Sequence, residues 1–116
     1  MSSFNVGFVL FPNLTQLDFT GPLQVLSRLP DSKMHIVAKS MEPVPSDCSL
    51  DLVPTDTFET CPQLDLICVP GGGGVADAMV DKPTVDFIRH QAAGAKYVTS
   101  VCTGAFLLGA AGLLDG

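Results

Sequence analysis

Lys96-Tyr-Val-Thr-Ser-Val101, then Cys102, then Thr103-Gly-Ala-Phe-Leu-Leu-Gly-Ala-Ala111 is an apolar strand that runs without a linker into a helix, with a cysteine at the junction. A side chain at so tight a strand-to-helix turn is pushed out at the carboxyl end of a sheet, beside the unpaired N–H groups of the new helix. The positive end of that helix favours an anion. A thiol placed there is expected to have a lowered pKa and to act as a nucleophile. This reading of Cys102 is preferred to the commoner fate of a free cysteine, burial as a small apolar residue. Gly104, two residues on, lets the start of the helix lie close against its neighbour.

Outward from this junction the chain alternates strands and helices. Asn5–Leu10, Met34–Ala38, Leu64–Val69 and Lys96–Val101 read as strands, most of them apolar on both faces. Leu50–Val53 reads as a short edge strand closed by Pro54, and Met41–Asp47 as a loop. Helices are expected at Thr20–Leu29, with Thr20 as N-cap and Pro22 near the first turn, at Val75–Met79, at Thr84–Ala93, and after Cys102. Strands apolar on both faces alternating with helices predict an α/β domain, a parallel sheet covered by helices. The loops at the carboxyl ends of such strands build the site. Three qualify: Leu10–Asp18, Pro70–Gly74 and the Cys102 turn.

Composition removes several function classes. The 116 residues form at most one domain; 47% are apolar and 16% charged, which describes a globular chain. A net charge of −6 with only six scattered Lys and Arg argues against nucleic acid as a partner. No apolar run approaches a membrane span, and Met1–Asn5 lacks the basic start of a signal peptide, so a cytoplasmic location without a membrane partner is expected. Cysteines 48, 61, 68 and 102 contain no C-x-x-C pair, and neither His35 nor His90 lies near them in sequence. Zinc and disulfides are therefore not expected. Cys68 reads as core, and Cys48 and Cys61 receive no role.

Asp18 is the one carboxylate of the first loop, set between Leu17 and Phe19. If the loop folds inward, desolvation favours a carboxyl that holds a proton and can donate it. Equally, it can be a carboxylate favouring the following helix N-terminus. The residues leave both readings open. The glycines at 71–74 formally fit a dinucleotide fingerprint, but the acidic residue expected about 20 positions later at a strand end is missing. A backbone that approaches Cys102 and offers N–H groups to a developing negative charge is the better reading. A plain flexible turn is the alternative. Cys-His catalysis has no partner here: His35 falls in a strand and His90 on a helix, and both read as ordinary surface or satisfied core residues.

Four segments carry a family likeness: Gln16-Leu-Asp-Phe-Thr-Gly-Pro22, Leu64-Asp-Leu-Ile-Cys-Val-Pro-Gly-Gly72, Tyr97-Val-Thr-Ser-Val-Cys-Thr-Gly104 and Leu108-Gly-Ala-Ala-Gly-Leu-Leu114. On these the chain resembles the ThiJ/PfpI superfamily of class I glutamine amidotransferase-like proteins and, within it, the bacterial isonitrile (isocyanide) hydratases. The resemblance implies a flavodoxin-like sheet with a cysteine nucleophile elbow. It implies Cys102 as nucleophile, Asp18 as general acid/base, and Thr103 with its hydroxyl or N–H beside Asp18. It further implies substrate contacts from Gly72, Gly73 and Thr103, a small isonitrile as substrate, no metal or organic cofactor, and a homodimer. Members run to roughly twice this length, so residues 1–116 are expected to be the N-terminal half of one such domain, truncated at its C-terminal end. The front domains of AraC-type transcription regulators carry similar words, which makes a ligand-binding module the alternative. A redox or glyoxalase-type stress protein using the same elbow is the third.

Overall fold

The computed structural model describes residues 4–113. Five parallel strands form one sheet in the order β5-β2-β1-β6-β7: β1 Phe4–Val9, β2 Ser32–Ala38, β5 Asp56–Thr57, β6 Leu66–Val69 and β7 Tyr97–Ser100. The helices are α1 Gln16–Leu26, α2 Val75–Met79, α3 Lys82–Gly94 and α4 Gly104–Ala110. The parallel sheet flanked by helices is thus as the alternation predicts. Because parallel crossovers are right-handed, the β1-α1-β2 and β6-α2-α3-β7 units, which run in opposite directions across the sheet, place α1 and α3 on opposite faces. The crevice between the carboxyl ends of β1 and β6 is therefore the switch point where such sheets bind ligands.

Val6, Phe8, Val9, Ile67 and Val69 fill both faces of the central strands and are fully buried. Phe8 meets Phe19 of α1 edge-on at 5.6 Å, which fixes the helix that carries Asp18. On the other face, α3 begins at an N-cap, Asp81, whose side chain accepts from the Thr84 N–H, and the cap carboxylate also pairs with Lys39 at 2.7 Å. Phe58 stacks on Phe87 at 4.5 Å and ties the turn after β5 to α3. No helix among the described residues is long and apolar enough to cross a membrane.

Four sequence expectations are corrected. The first helix spans Gln16–Leu26 instead of Thr20–Leu29, and Thr20 lies inside it, its hydroxyl bonded back to the Gln16 carbonyl. Pro22 is likewise interior and supplies no N–H to the Asp18 carbonyl one turn earlier. Residues around Leu50–Val53 do not edge the main sheet: β4 (Asp51–Leu52) pairs antiparallel with β3 (Val44–Pro45), inside the segment read as loop. The outer strand on that side of the main sheet is β5, whose two polar residues give no strand pattern; the Phe58 N–H to Ala38 carbonyl bond and the His35–Asp56 contact hold it there. Finally, β7 is an exposed strand, with Tyr97, Val98 and Thr99 open to solvent, although its apolar run reads as buried.

Candidate active site

Cys102 caps the carboxyl end of β7 with φ of +50°, a left-handed backbone that residues other than glycine seldom adopt. The turn is forced by close backbone packing. A Cβ on Gly104 would lie 2.2 Å from the Val69 carbonyl oxygen, so only glycine lets α4 start against the end of β6. The consequence is an exposed thiol at the carboxyl end of the sheet, after β7.

Asp18 comes to it from the opposite side. The start of α1 is pinned by the Thr15 N–H donating to the Gly71 carbonyl at 2.8 Å, and the Asp18 N–H closes the first turn on the Thr15 carbonyl. Asp18 is therefore a half-buried residue of the helix's first turn, not of a preceding loop. Its Oδ1 lies 3.7 Å from Cys102 Sγ, in position to accept the thiol proton. The sequence signal for this helix start is the Thr15-x-x-Asp18 spacing, that of a capping box. Here, however, the Thr15 hydroxyl donates to Asp47 at 3.1 Å and does not cap the helix.

Thr103 completes the cluster. Its hydroxyl oxygen accepts the Gly72 N–H at 3.0 Å and makes no capping bond to α4. The Gly72 N–H is thus spent inside the protein, and the expectation that it faces a developing negative charge is corrected. The N–H groups of Gly73, Cys102 and Thr103 have no acceptor among the described residues and remain as donors. Gly73 stands in open space, with nothing within 4 Å of where a side chain would begin.

The electrostatics reverse a second expectation. Cys102 is held above the ordinary thiol pKa, first by the charge of the Asp18 carboxylate and then by desolvation and the S–H···O contact. The helix-terminus argument for a lowered value fails because a full negative charge close by outweighs the partial charge of a short helix. Cys68 lies buried on β6 within the field of Asp18, its thiol pushed up mainly by burial. As a core residue it matches the sequence reading. Cys48 is exposed and Cys61 half-buried, its thiol pushed up to about 12 by burial and by Asp56.

Neither histidine joins the cluster. His35 is buried, with Nδ1 2.9 Å from Asp56 and Nε2 3.1 Å from Asn5, a satisfied core residue as expected; His90 is exposed on α3. No group of three or more His, Cys, Asp or Glu side chains able to hold a metal ion occurs among the described residues. A cavity of about 370 Å³ lies elsewhere, bounded by Phe11, Pro12, Lys39, Glu42 and Asp77, and includes neither Cys102 nor Asp18.

A parallel sheet with a cysteine at the turn after β7 and an acid from α1 beside it defines a class, and comparison with known proteins agrees: residues 5–116 match the DJ-1/PfpI family, to which the chain belongs. It is 60% identical over 114 residues to isonitrile hydratase of Pseudomonas putida, covering 98% of this chain and 50% of that protein. It is 29% identical to the HTH-type transcriptional regulator GbdR of Pseudomonas aeruginosa, covering 97% of this chain and 32% of that one. The crystal structure of a ThiJ/PfpI family protein from Pseudomonas syringae superposes with a TM-score of 0.96 at 44% identity, covering 100% of this chain and 49% of that one. The chain thus spans half the length of the isonitrile hydratase it matches.

Proposed function

We propose that this chain is the N-terminal half of an isonitrile hydratase, which adds water to an isonitrile to give an N-substituted formamide, with Cys102 at a nucleophile elbow and Asp18 as general acid/base. The observation that carries the proposal is the thiol–carboxylate pair at 3.7 Å, a nucleophile and a proton carrier converging on one point without a histidine. The terminal carbon of an isonitrile takes both a nucleophile and a proton at the same atom. Asp18 receives the thiol proton and passes it to that carbon while the sulfur bonds there, giving a thioimidate, R–N=CH–S. Asp18, again a carboxylate, then removes a proton from water as its oxygen attacks the same carbon. The C=N electron pair moves to nitrogen, which takes that proton. The C–S bond breaks, sulfur regains the hydroxyl proton, and R–NH–CHO leaves. The free N–H groups of Gly73, Cys102 and Thr103 and the Thr103 hydroxyl are the donors available to the nitrogen and the oxygen as they gain charge.

The test is direct. Purified protein mixed with aryl and alkyl isonitriles should form the formamides, and Cys102→Ala should remove the activity. Protein that leaves several isonitriles untouched while cleaving amides overturns the proposal. We include in it a cytoplasmic homodimer, the assembly read by sedimentation of the purified protein. The similarity to GbdR favours a second reading, a pocket that holds a small ligand without turning it over; saturable isonitrile binding with no formamide would select it.

A further inference from the structure

Between the two halves of the pair lies a single peptide unit. The Gly71 carbonyl accepts from Thr15, at the start of the helix that carries Asp18, and the N–H of the same peptide plane, that of Gly72, donates to Thr103, the neighbour of Cys102. In a trans peptide the C=O and N–H point in opposite directions, so one rigid plane spans the gap. The flanking carbons are packed just as tightly, each against the other side. A Cβ on Gly71 would lie 2.7 Å from Thr103 Oγ1, 2.8 Å from its nitrogen and 3.0 Å from the Val101 carbonyl oxygen. A Cβ on Gly72 would lie 2.4 Å from the Thr15 nitrogen, and Gly72 has φ of +128°, where an L-residue is strained. Contacts and hydrogen bonds thus close a ring: Cys102–Thr103, the Gly72 N–H, the Gly71 carbonyl, Thr15, Asp18, and back to the thiol.

We propose that the Gly71–Gly72 peptide is the positioning element that sets the separation of Cys102 and Asp18, and that it also turns the Thr103 hydroxyl toward the reacting group. With its oxygen accepting from Gly72, that hydroxyl keeps its own proton to give away. Gly71 and Gly72 act through the residues they hold and do not themselves meet the substrate. The proposal rests on the function proposed above for its catalytic consequence, but its geometric claim can be read without substrate.

The experiment follows the pH dependence of Cys102 alkylation by iodoacetamide, resolved by peptide mass so that Cys48 and Cys61 are scored separately. The Asp18 carboxylate keeps the Cys102 thiol protonated to higher pH, so any variant that parts the pair should alkylate faster near neutrality. Gly71→Ala and Thr103→Val, which leaves the Gly72 N–H without its acceptor, should each raise the rate at pH 7 by about three- to tenfold, the gain in thiolate. Both shifts should vanish in an Asp18→Asn background, and Thr103→Ser, which keeps the hydroxyl, should retain the wild-type profile. Turnover of isonitrile by Gly71→Ala should fall by about tenfold or more in kcat with a smaller change in KM. Thermal melts establish that each variant is folded; should Gly71→Ala not fold, Thr103→Val decides. Folded variants with the wild-type alkylation profile, or shifts that persist without Asp18, overturn the proposal. Wild-type protein inert toward isonitriles would remove the proposed function and leave the alkylation result to decide this one alone.

Discussion

Gly104→Ala is the sharpest probe of how the site is built. The added Cβ would fall 2.2 Å from the Val69 carbonyl oxygen and 2.7 Å from that of Pro70, both backbone atoms at the end of β6 that cannot swing aside. Reaching an ordinary contact of 3.4 Å requires the start of α4 to lift by about 1.2 Å, and it carries Cys102 with it. A misplacement of about 1 Å at a reacting group can cost on the order of 10²-fold in rate, so isonitrile turnover should fall by about that factor. The strain itself should cost about 1–3 kcal/mol. At about 4–8 °C per kcal/mol for a domain of this size, the melting temperature should drop by about 4–24 °C. Gly21→Ala is the control: its Cβ meets only Leu17 Cδ1 at 4.0 Å, inside α1, and there the substitution should stabilise by about 0.4–1 kcal/mol. Circular dichroism melts and formamide formation give both readouts. Gly104→Ala protein that melts and turns over like wild type would refute the idea that backbone packing against β6 holds the Cys102 turn.

Asp18→Asn should lower isonitrile turnover by about 10²–10⁴-fold, the usual worth of a general acid–base, while the Cys102 thiol, freed of the adjacent negative charge, alkylates faster at pH 7. Asp81→Ala should cost about 0.5–2 kcal/mol in chemical denaturation, since α3 loses its N-cap. Burial pushes the Asp81 carboxyl up, but bonds from Lys39 and Thr84 outweigh it and hold it below the usual carboxylate range. The stability this supplies is complete above the unfolded value of about 4 and is lost as pH falls through the folded one, so Asp81→Asn should unfold with a shallower acid dependence below about pH 4. Gly7→Ala would put a Cβ 2.3 Å from Leu64 Cδ1, and because Leu64 is fully buried it cannot yield; a loss of about 1–3 kcal/mol by urea melt is expected.

The central sheet was legible because burial on both faces leaves a plain mark: runs such as Val6–Leu10 and Leu66–Val69 carry no charged or polar side chain. What escaped was held by contacts distant in sequence. Asp56-Thr57 has no strand pattern and pairs with β2 through bonds to residues about twenty positions away. The start of α1 was misplaced because Pro22 and Thr20 look like a helix beginning, whereas Thr15 is fixed by a carbonyl 56 residues on. At the site, the exposed turn at Cys102 followed from strand–helix logic, and Asp18 was the only acid in a facing loop. Their approach across 84 residues was not derivable from spacing, nor was the commitment of the Gly72 N–H to Thr103. The misjudged acidity of Cys102 has the same origin: a local rule about helix ends was applied without the charge brought in by the fold.

That raised thiol pKa bears on which chemistry the site suits. A redox-sensing cysteine works as a standing thiolate, and its oxidation follows thiolate character and exposure. Here the thiol is exposed, and the charge of the neighbouring carboxylate pushes its pKa up, so the thiolate fraction is lowered and the proton sits on sulfur within reach of Asp18. For the reaction proposed above, in which one carbon accepts nucleophile and proton, that proximity is useful: the sulfur would become nucleophilic as Asp18 takes up the proton to be delivered. A thiol of higher pKa is also intrinsically the stronger nucleophile once ionised. Oxidation by hydrogen peroxide at pH 7 separates the two uses. Cys102 should be oxidised more slowly in wild type than in Asp18→Asn, as followed by intact mass, because removing the carboxylate raises the thiolate fraction. If wild-type Cys102 is instead the faster to form sulfenic and sulfinic acid, Asp18 promotes oxidation, and the site is tuned for redox chemistry and not for hydration.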